Sequence, residues 1–152
     1  MICAELTAAV ERLHAEGCSC VVSRGGRQRL FRQRGVLDLY RLLCEEPETL
    51  RGAVVADKVV GKAAAALLIL GGVRELYADV ASRPALDLLR RAGTAAACGR
   101  STERIVNRAG TGLCPLESRC LELATPEACF ERIEAFVREQ SAPKNETNDQ
   151  TK

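Results

Sequence analysis

The stretch that organises this chain is Gly52–Gly72, GAVVADKVVGKAAAALLILGG. Its short apolar run Ala53–Ala56 predicts a buried strand, and the longer run Ala63–Leu70 predicts a buried helix. Asp57 stands where a helix N-cap would, and Gly71-Gly72 would end the helix. A strand that leads directly into a helix presents unpaired N–H groups and the positive end of the helix dipole to a crevice. The stretch therefore predicts where a binding site lies.

The composition is that of one soluble globular domain. The chain has 152 residues, of which 47% are hydrophobic and 28% are charged, so it is long enough to bury a core without covalent cross-links. We assign residues 1–140 to a single domain. The polar segment 141–152, SAPKNETNDQTK, is predicted to be a disordered tail.

Charge and aromatic content argue against a nucleic-acid partner. The net charge is only +2, and five scattered aromatic residues offer no platform for stacking bases. The first 17 residues alternate apolar and charged positions, unlike a signal peptide or an anchor. The longest apolar run is far too short to span a bilayer. We therefore expect a cytoplasmic protein without a membrane partner.

The eight cysteines do not form a metal-binding pattern. No CxxC pair occurs, and His14 is the one histidine. Zinc sites need four ligands that usually include such pairs. In a cytosolic protein, reduced cysteines that act as small apolar side chains are the usual case. We expect neither a metal nor a cofactor.

The remaining chain predicts alternating helices and strands. A helix over 2–16 precedes a hairpin that turns at Gly25-Gly26, and a second helix ends at Pro47. After the central stretch come a strand over 73–80, a helix opened by Ser82-Arg83-Pro84, and a short strand over 94–98. Ser101 is predicted to cap a helical turn, and Thr125-Pro126 to start the last helix. A hairpin joined to parallel βα units predicts a three-layer α/β/α domain with a mixed central sheet.

Two local stretches resemble a prokaryotic family of unknown function, DUF1893. They are 57–64, DKVVGKAA, and 106–117, VNRAGTGLCPLE. The resemblance extends from about Leu13 to Leu123 and implies a cytidine deaminase-like fold. It implies no particular reaction.

The resemblance to deaminases does not include their zinc ligands. Zinc deaminases carry a His/Cys-Ala-Glu motif on the first helix after the central strands and Pro-Cys-x-x-Cys on the next helix. The corresponding positions here, near 57–62 and 82–87, contain neither histidine nor cysteine. The chain therefore lacks the side chains that would activate a zinc-bound water, and zinc-dependent deamination is excluded.

The first candidate site lies at the start of the central helix. Lys58 and Lys62 are four residues apart, so both would project from one face of its first turns. Cations there oppose the helix dipole, a conflict that a bound phosphate would remove. Asp57 would contact the same ligand, and Gly61 would permit close approach of a ligand or another backbone. The alternative is a capped helix with solvated lysines.

The second candidate site lies on the next βα turn. Ser82 and Arg83 would stand beside the first site in a parallel sheet, and Arg83 could bind an anion with two hydrogen bonds. A capped helix start with a surface arginine is the alternative.

The third candidate is the glycine-rich loop of the second family stretch. Asn107, Arg108, Thr111 and Glu117 are predicted to contact the ligand. Cys114 precedes a helix start, where the dipole lowers a thiol pKa, but Glu117 one turn later would raise it. A packed Cys114 thiol, with Glu117 bonded to the helix N-terminus as in a capping box, is the better interpretation.

Together these features predict a deaminase-like domain that binds a nucleotide or another phosphate-bearing small molecule. One alternative is a metal-independent enzyme that uses Asp57 or Cys114. Another is a module that binds a partner chain. A homodimer is compatible with the sequence but is not required by it.

Overall fold

A computed structural model describes residues 2–33, 36–105 and 115–141 of the chain. Within these ranges, five strands and seven helices follow one another. They are α1 (Ala4–Glu16), β1 (Cys20–Arg24), β2 (Arg27–Phe31), α2 (Leu37–Glu45), α3 (Pro47–Leu50), β3 (Val54–Val60), α4 (Lys62–Leu70), β4 (Glu75–Ser82), α5 (Arg83–Ala92), β5 (Ala95–Thr102), α6 (Pro115–Cys120) and α7 (Pro126–Ser141).

The strands form one mixed sheet in the order β2-β1-β3-β4-β5. β1 is antiparallel to both β2 and β3, whereas β3, β4 and β5 are parallel. The predicted hairpin is confirmed: Gly25 and Gly26 have φ values of 60° and 83°, which suit a tight two-residue turn. The predicted mixed α/β architecture is therefore correct.

The central strand is longer than the sequence predicted. β3 continues through Asp57 to Val60, because Asp57 is paired with Cys20 of β1 on one side and with Ala78 of β4 on the other. Asp57 is therefore not the N-cap of α4. That position belongs to Gly61, and the helix begins at Lys62. Two flanking ladders outweigh the local preference of aspartate for a helix start.

The strand after Gly93 was also predicted too short. β5 runs to Thr102, and its last residues pair with the end of β4. Ser101 lies inside this strand, so the predicted helical turn that it would cap does not form within residues 101–105. Pairing with β4 again supplies more hydrogen bonds than a one-turn helix could.

Both faces of the sheet carry buried side chains. Val54 and Ala56 pack with Leu6, Ala9 and Leu13 of α1 on one face. The larger core, on the other face, holds Val55, Leu76 and α4. Residues 63–68 of α4 are all buried, as the unbroken apolar run predicts. This helix packs against α2, α5, α6 and α7, so its N-terminus at the end of β3 is fixed from several sides.

Two of the predicted helix starts are confirmed by their capping bonds. The Ser82 hydroxyl accepts a hydrogen bond from the Ala85 N–H at 3.2 Å, and the Thr125 hydroxyl accepts one from the Ala128 N–H at 3.1 Å. Pro47 differs from its predicted role. It follows the end of α2, as expected, but it also opens the short helix α3.

The contact between α3 and the end of α4 can be tested by adding one methyl group. A Cβ on Gly71 would lie 2.7 Å from Leu50 Cδ1 and 2.9 Å from Leu50 Cβ, while the backbone there is helical. We expect Gly71→Ala to lower the free energy of unfolding by about 1–3 kcal/mol through overpacking. Urea unfolding of Gly71→Ala, Leu50→Ala and the double variant measures this. The double variant should lose less than the sum of the single losses, and strict additivity would contradict the contact.

Candidate functional site

The N-termini of α4 and α5 share one buried carboxylate, that of Glu117. The side chain is 2% exposed. Its Oε1 accepts a hydrogen bond from the Lys62 backbone N–H at 2.7 Å, and its Oε2 accepts one from the Ser82 hydroxyl at 3.2 Å. A carboxylate at a helix N-terminus is stabilised by the free N–H groups and by the helix dipole. The anion at this place is therefore supplied by the chain itself.

Gly61 makes room for this carboxylate. A Cβ at Gly61 would overlap Glu117 Oε1 and lie 3.2 Å from Glu117 Cδ. The sequence predicted that Gly61 permits the close approach of a ligand or another backbone. Within the described residues the approaching group is the side chain of Glu117. This contact joins the two family stretches, and Glu117 caps α4. The predicted capping box at its own helix involves Cys114, which lies outside the described residues.

Lys62 points into the protein rather than into solvent. It is 6% exposed, and its ammonium donates hydrogen bonds to the backbone carbonyls of Leu121, at 3.0 Å, and Leu123. These carbonyls lie in the connection between α6 and α7. Lys62 therefore fastens this connection to the start of α4. Because Lys58 belongs to β3, the two lysines do not share a helical face, which corrects the predicted pair.

Two buried cysteines lie near the Lys62 ammonium. Cys120 of α6 and Cys129 of α7 are both fully buried. A hydrogen bond from Cys120 lowers the pKa of Cys129, and the positive charge of Lys62 lowers it further. The same hydrogen bond raises the pKa of Cys120. From the sequence, these cysteines were expected only to be small apolar side chains. Their proximity arises from the packing of α6 on α7, which the sequence pattern did not indicate.

Asp57 is the middle residue of β3, three residues before the carboxyl end of the strand. Burial raises the pKa of its carboxyl group to about 7, although the Val59 and Lys58 N–H groups and the Cys20 thiol lower it by hydrogen bonding. The bond from the Val59 N–H is long, at 3.4 Å. The carboxyl group therefore changes its charge near neutral pH, a property that is common at functional sites.

Two exposed cations, Lys58 of β3 and Arg83 of α5, have weak or solvated partners. Among the described residues, the Lys58 ammonium donates a hydrogen bond only to the Gly17 carbonyl, at 3.5 Å. Arg83 forms an ion pair with Glu103 at 2.9 Å, and the two side chains are 64% and 73% exposed. Such pairs contribute little stability. Both cations can therefore exchange their present partners for an anion without a large loss of stability.

The other predicted site residues, Asn107, Arg108, Thr111 and Cys114, lie outside the described residues. Within residues 2–33, 36–105 and 115–141, no group of three or more His, Cys, Asp and Glu side chains is arranged to hold a metal ion. None of the helices in these ranges is both long enough and apolar enough to cross a membrane.

Removal of the Glu117 carboxylate tests the bridge between the two helix starts. We expect Glu117→Ala to cost about 2–4 kcal/mol of unfolding free energy, because a buried N–H and a hydroxyl lose their partner and a cavity remains. Glu117→Gln keeps an acceptor and should cost less, about 1 kcal/mol. Denaturant unfolding measures both, with the exposed Glu131→Gln of α7 as the control. Equal stabilities of all three variants would contradict the bridge.

The raised pKa of Asp57 predicts how stability depends on pH. The unfolded chain releases the Asp57 proton near pH 4, whereas the folded chain retains it to about pH 7. Between these values the native state binds more protons, so this group lowers stability as the pH rises from about 4 to 7. We expect Asp57→Asn to be more stable than wild type by about 1–3 kcal/mol at pH 8, and the difference to shrink at pH 4. Urea unfolding at both pH values measures this, and a difference that does not vary with pH would refute it.

Comparison with known proteins identifies the family. The sequence profile described as domain of unknown function (DUF1893), TM1506, matches residues 8–137. The crystal structure of a DUF1893 family protein (TM1506) from Thermotoga maritima superimposes with a TM-score of 0.81 at 26% identity, over 89% of this chain and 91% of that chain. No curated protein matches the sequence. The chain therefore belongs to the DUF1893 family.

Proposed function

We propose that this domain binds a small anionic ligand, a nucleotide or another phosphate-bearing molecule, at the carboxyl ends of β3 and β4. We further propose that it is a three-layer, cytidine deaminase-like domain without the zinc ligands. The order of the sheet, with one antiparallel strand beside three parallel strands, and the buried cores on both of its faces support this assignment. In open α/β sheets, ligands bind at the carboxyl ends of the parallel strands.

The state of Asp57 is the observation on which the proposal rests. Asp57 is a half-buried carboxyl group whose pKa burial raises to about 7, and the hydrogen bond that it accepts from the Val59 N–H is long. Protonated, it can donate a hydrogen bond to a base or phosphate oxygen, and ionised, it can accept bonds from sugar hydroxyls. The ligand would therefore contact Asp57 directly.

The phosphate would lie beside the helix starts rather than on them. Glu117 already occupies the Lys62 N–H group, so a phosphate at that position would meet a buried carboxylate. Lys58 and Arg83 are two exposed cations that could supply positive charge without displacing Glu117. Asn107, Arg108 and Thr111 of the second family stretch remain candidate contacts. Lys62 then has a structural role.

One observation favours an enzyme as the second candidate. General acid–base catalysis is most efficient when the catalytic pKa is close to the working pH, and Asp57 meets this condition. Asp57 would transfer a proton to or from the bound molecule without a metal. Turnover of a bound nucleotide that is lost in Asp57→Asn, with binding retained, would distinguish catalysis from binding.

Calorimetric titration with nucleoside mono- and diphosphates and with inorganic phosphate tests the binding proposal. We expect Lys58→Ala and Asp57→Asn each to weaken nucleotide affinity at least tenfold, because each removes a charged or hydrogen-bonding contact to the ligand. Arg27→Ala, which removes an exposed arginine from β2, is the matched control and should bind like wild type.

If wild type shows no heat of binding and no rise in melting temperature with any nucleotide, the domain does not bind this class of ligand. If Arg27→Ala weakens binding as much as Lys58→Ala, the effect is one of overall charge and the site is misplaced.

A further inference from the structure

In the part of the chain that the structure describes, nothing pairs with the outer side of β5. The strand is eight residues long, pairs with β4 on its other side, and is exposed or half-buried along its whole length. Among the described residues, no backbone group of 95–102 forms a hydrogen bond outside the β4 ladder. A strand has outward N–H and C=O groups at every second residue, so this edge presents a row of free donors and acceptors.

The opposite edge of the sheet is protected. β2 carries Arg27 and Arg29, and pairing of two β2 strands around their centre would place Arg29 directly opposite its own copy. β5, AAACGRST, carries one charge, Arg100, and contains neither lysine nor proline. Proteins commonly use such residues to prevent edge pairing. The difference between the edges therefore singles out β5 as the strand that can accept another strand.

We propose that two copies of this chain pair antiparallel through β5, with Cys98 on the two-fold axis, so that a continuous ten-stranded sheet forms. The proposal is independent of the proposed ligand. A two-fold pair is closed and self-complementary, which one exposed edge per chain requires.

Charge and side-chain alternation together select the register. Directly opposite residues of two paired strands point to the same face of the sheet. The two-fold axis must therefore lie between the two copies of one residue. An axis at either Cys98 or Gly99 keeps seven residues of each β5 strand paired. With Gly99 on the axis, the two Arg100 side chains would be offset by about 7 Å along the strands. With Cys98 on the axis they are offset by about 13 Å, which is beyond the Debye length at physiological ionic strength. Arg100 then lies opposite Ala96 of the other copy.

A largely apolar hollow continues the surface beside this edge. It has a volume of about 400 Å³ and is lined by Leu86, Leu89, Arg90, Thr94, Ala96 and Cys98. The charge of Arg90 is paired with that of Asp87. In the proposed register, the aliphatic part of the other copy's Arg100 would lie over this hollow, next to Ala96. The pairing would therefore bury apolar side chains as well as backbone groups.

Two substitutions of opposite charge at Ala96 test the register. We expect sedimentation velocity to show a wild-type dimer. Ala96→Lys should raise the dimer dissociation constant at least tenfold because it faces Arg100, whereas Ala96→Glu should lower it or leave it unchanged. Gln28→Lys adds the same charge to the β2 edge as a matched control and should leave the dimer intact. Circular dichroism confirms that each variant is folded.

Cross-linking provides an independent measurement. In a Cys44→Ser background, which removes an exposed thiol, diamide should link the two Cys98 thiols. The disulfide forms as the two thiol hydrogens reduce the N=N bond of diamide to a hydrazine. The link should be absent in Cys44→Ser/Cys98→Ser.

A wild-type chain that sediments as a monomer at 100 μM would overturn the proposal. So would a dimer that Ala96→Lys and Ala96→Glu weaken equally, or one that Gln28→Lys dissociates.

Discussion

The carboxylate of Glu117 is the point at which the start of α4, the start of α5 and the last third of the chain meet. A buried carboxylate is costly unless it is hydrogen-bonded, and the first N–H groups of a helix are unsatisfied unless an acceptor reaches them. Each requirement is met by the other here, since Glu117 accepts bonds from the Lys62 N–H and the Ser82 hydroxyl. Lys62 then holds the carbonyls of Leu121 and Leu123, so one turn of α4 binds the chain on both sides of Cys120.

This arrangement gives a physical reason for particular residues of the two family stretches. Gly61 must lack a side chain because Glu117 fills the space, and Lys62 must be long enough to reach the connection between α6 and α7. Both are requirements of folding. The proposed ligand site uses residues that this internal contact leaves available, namely Asp57, Lys58 and Arg83.

Local patterns in the sequence were sufficient to predict the hairpin, the βα alternation and the caps at Ser82 and Thr125. Each of these depends on neighbours within a few residues: a glycine pair, an apolar run or a hydroxyl before a helix. The ends of β3 and β5 depend instead on partner strands distant in sequence. The residues next to Asp57 in the sequence predict a helix cap. Asp57 is a strand residue because β1 and β4 flank it in the sheet.

In the candidate site, too, residue types could be predicted from the sequence, whereas contacts between distant residues could not. Asp57, Gly61, Lys62, Ser82 and Glu117 were singled out by their residue types. The sequence could not show that Glu117, 55 residues after Lys62, would supply the anion expected from a ligand. Lys62 looked available because a surface lysine is the common case. Its burial follows from the packing of α6 and α7, which no short-range pattern encodes.

The long separation of Lys62 and Glu117 also has a consequence for biosynthesis. A ribosome adds about 5–20 residues per second, so about 3–11 s pass between the synthesis of the two residues. During that interval β3, β4 and the helices after them can emerge and collapse. The first amide of α4 and the Ser82 O–H group then lack the acceptor that Glu117 provides. The two helix starts are therefore joined through one carboxylate only after α6 has been translated.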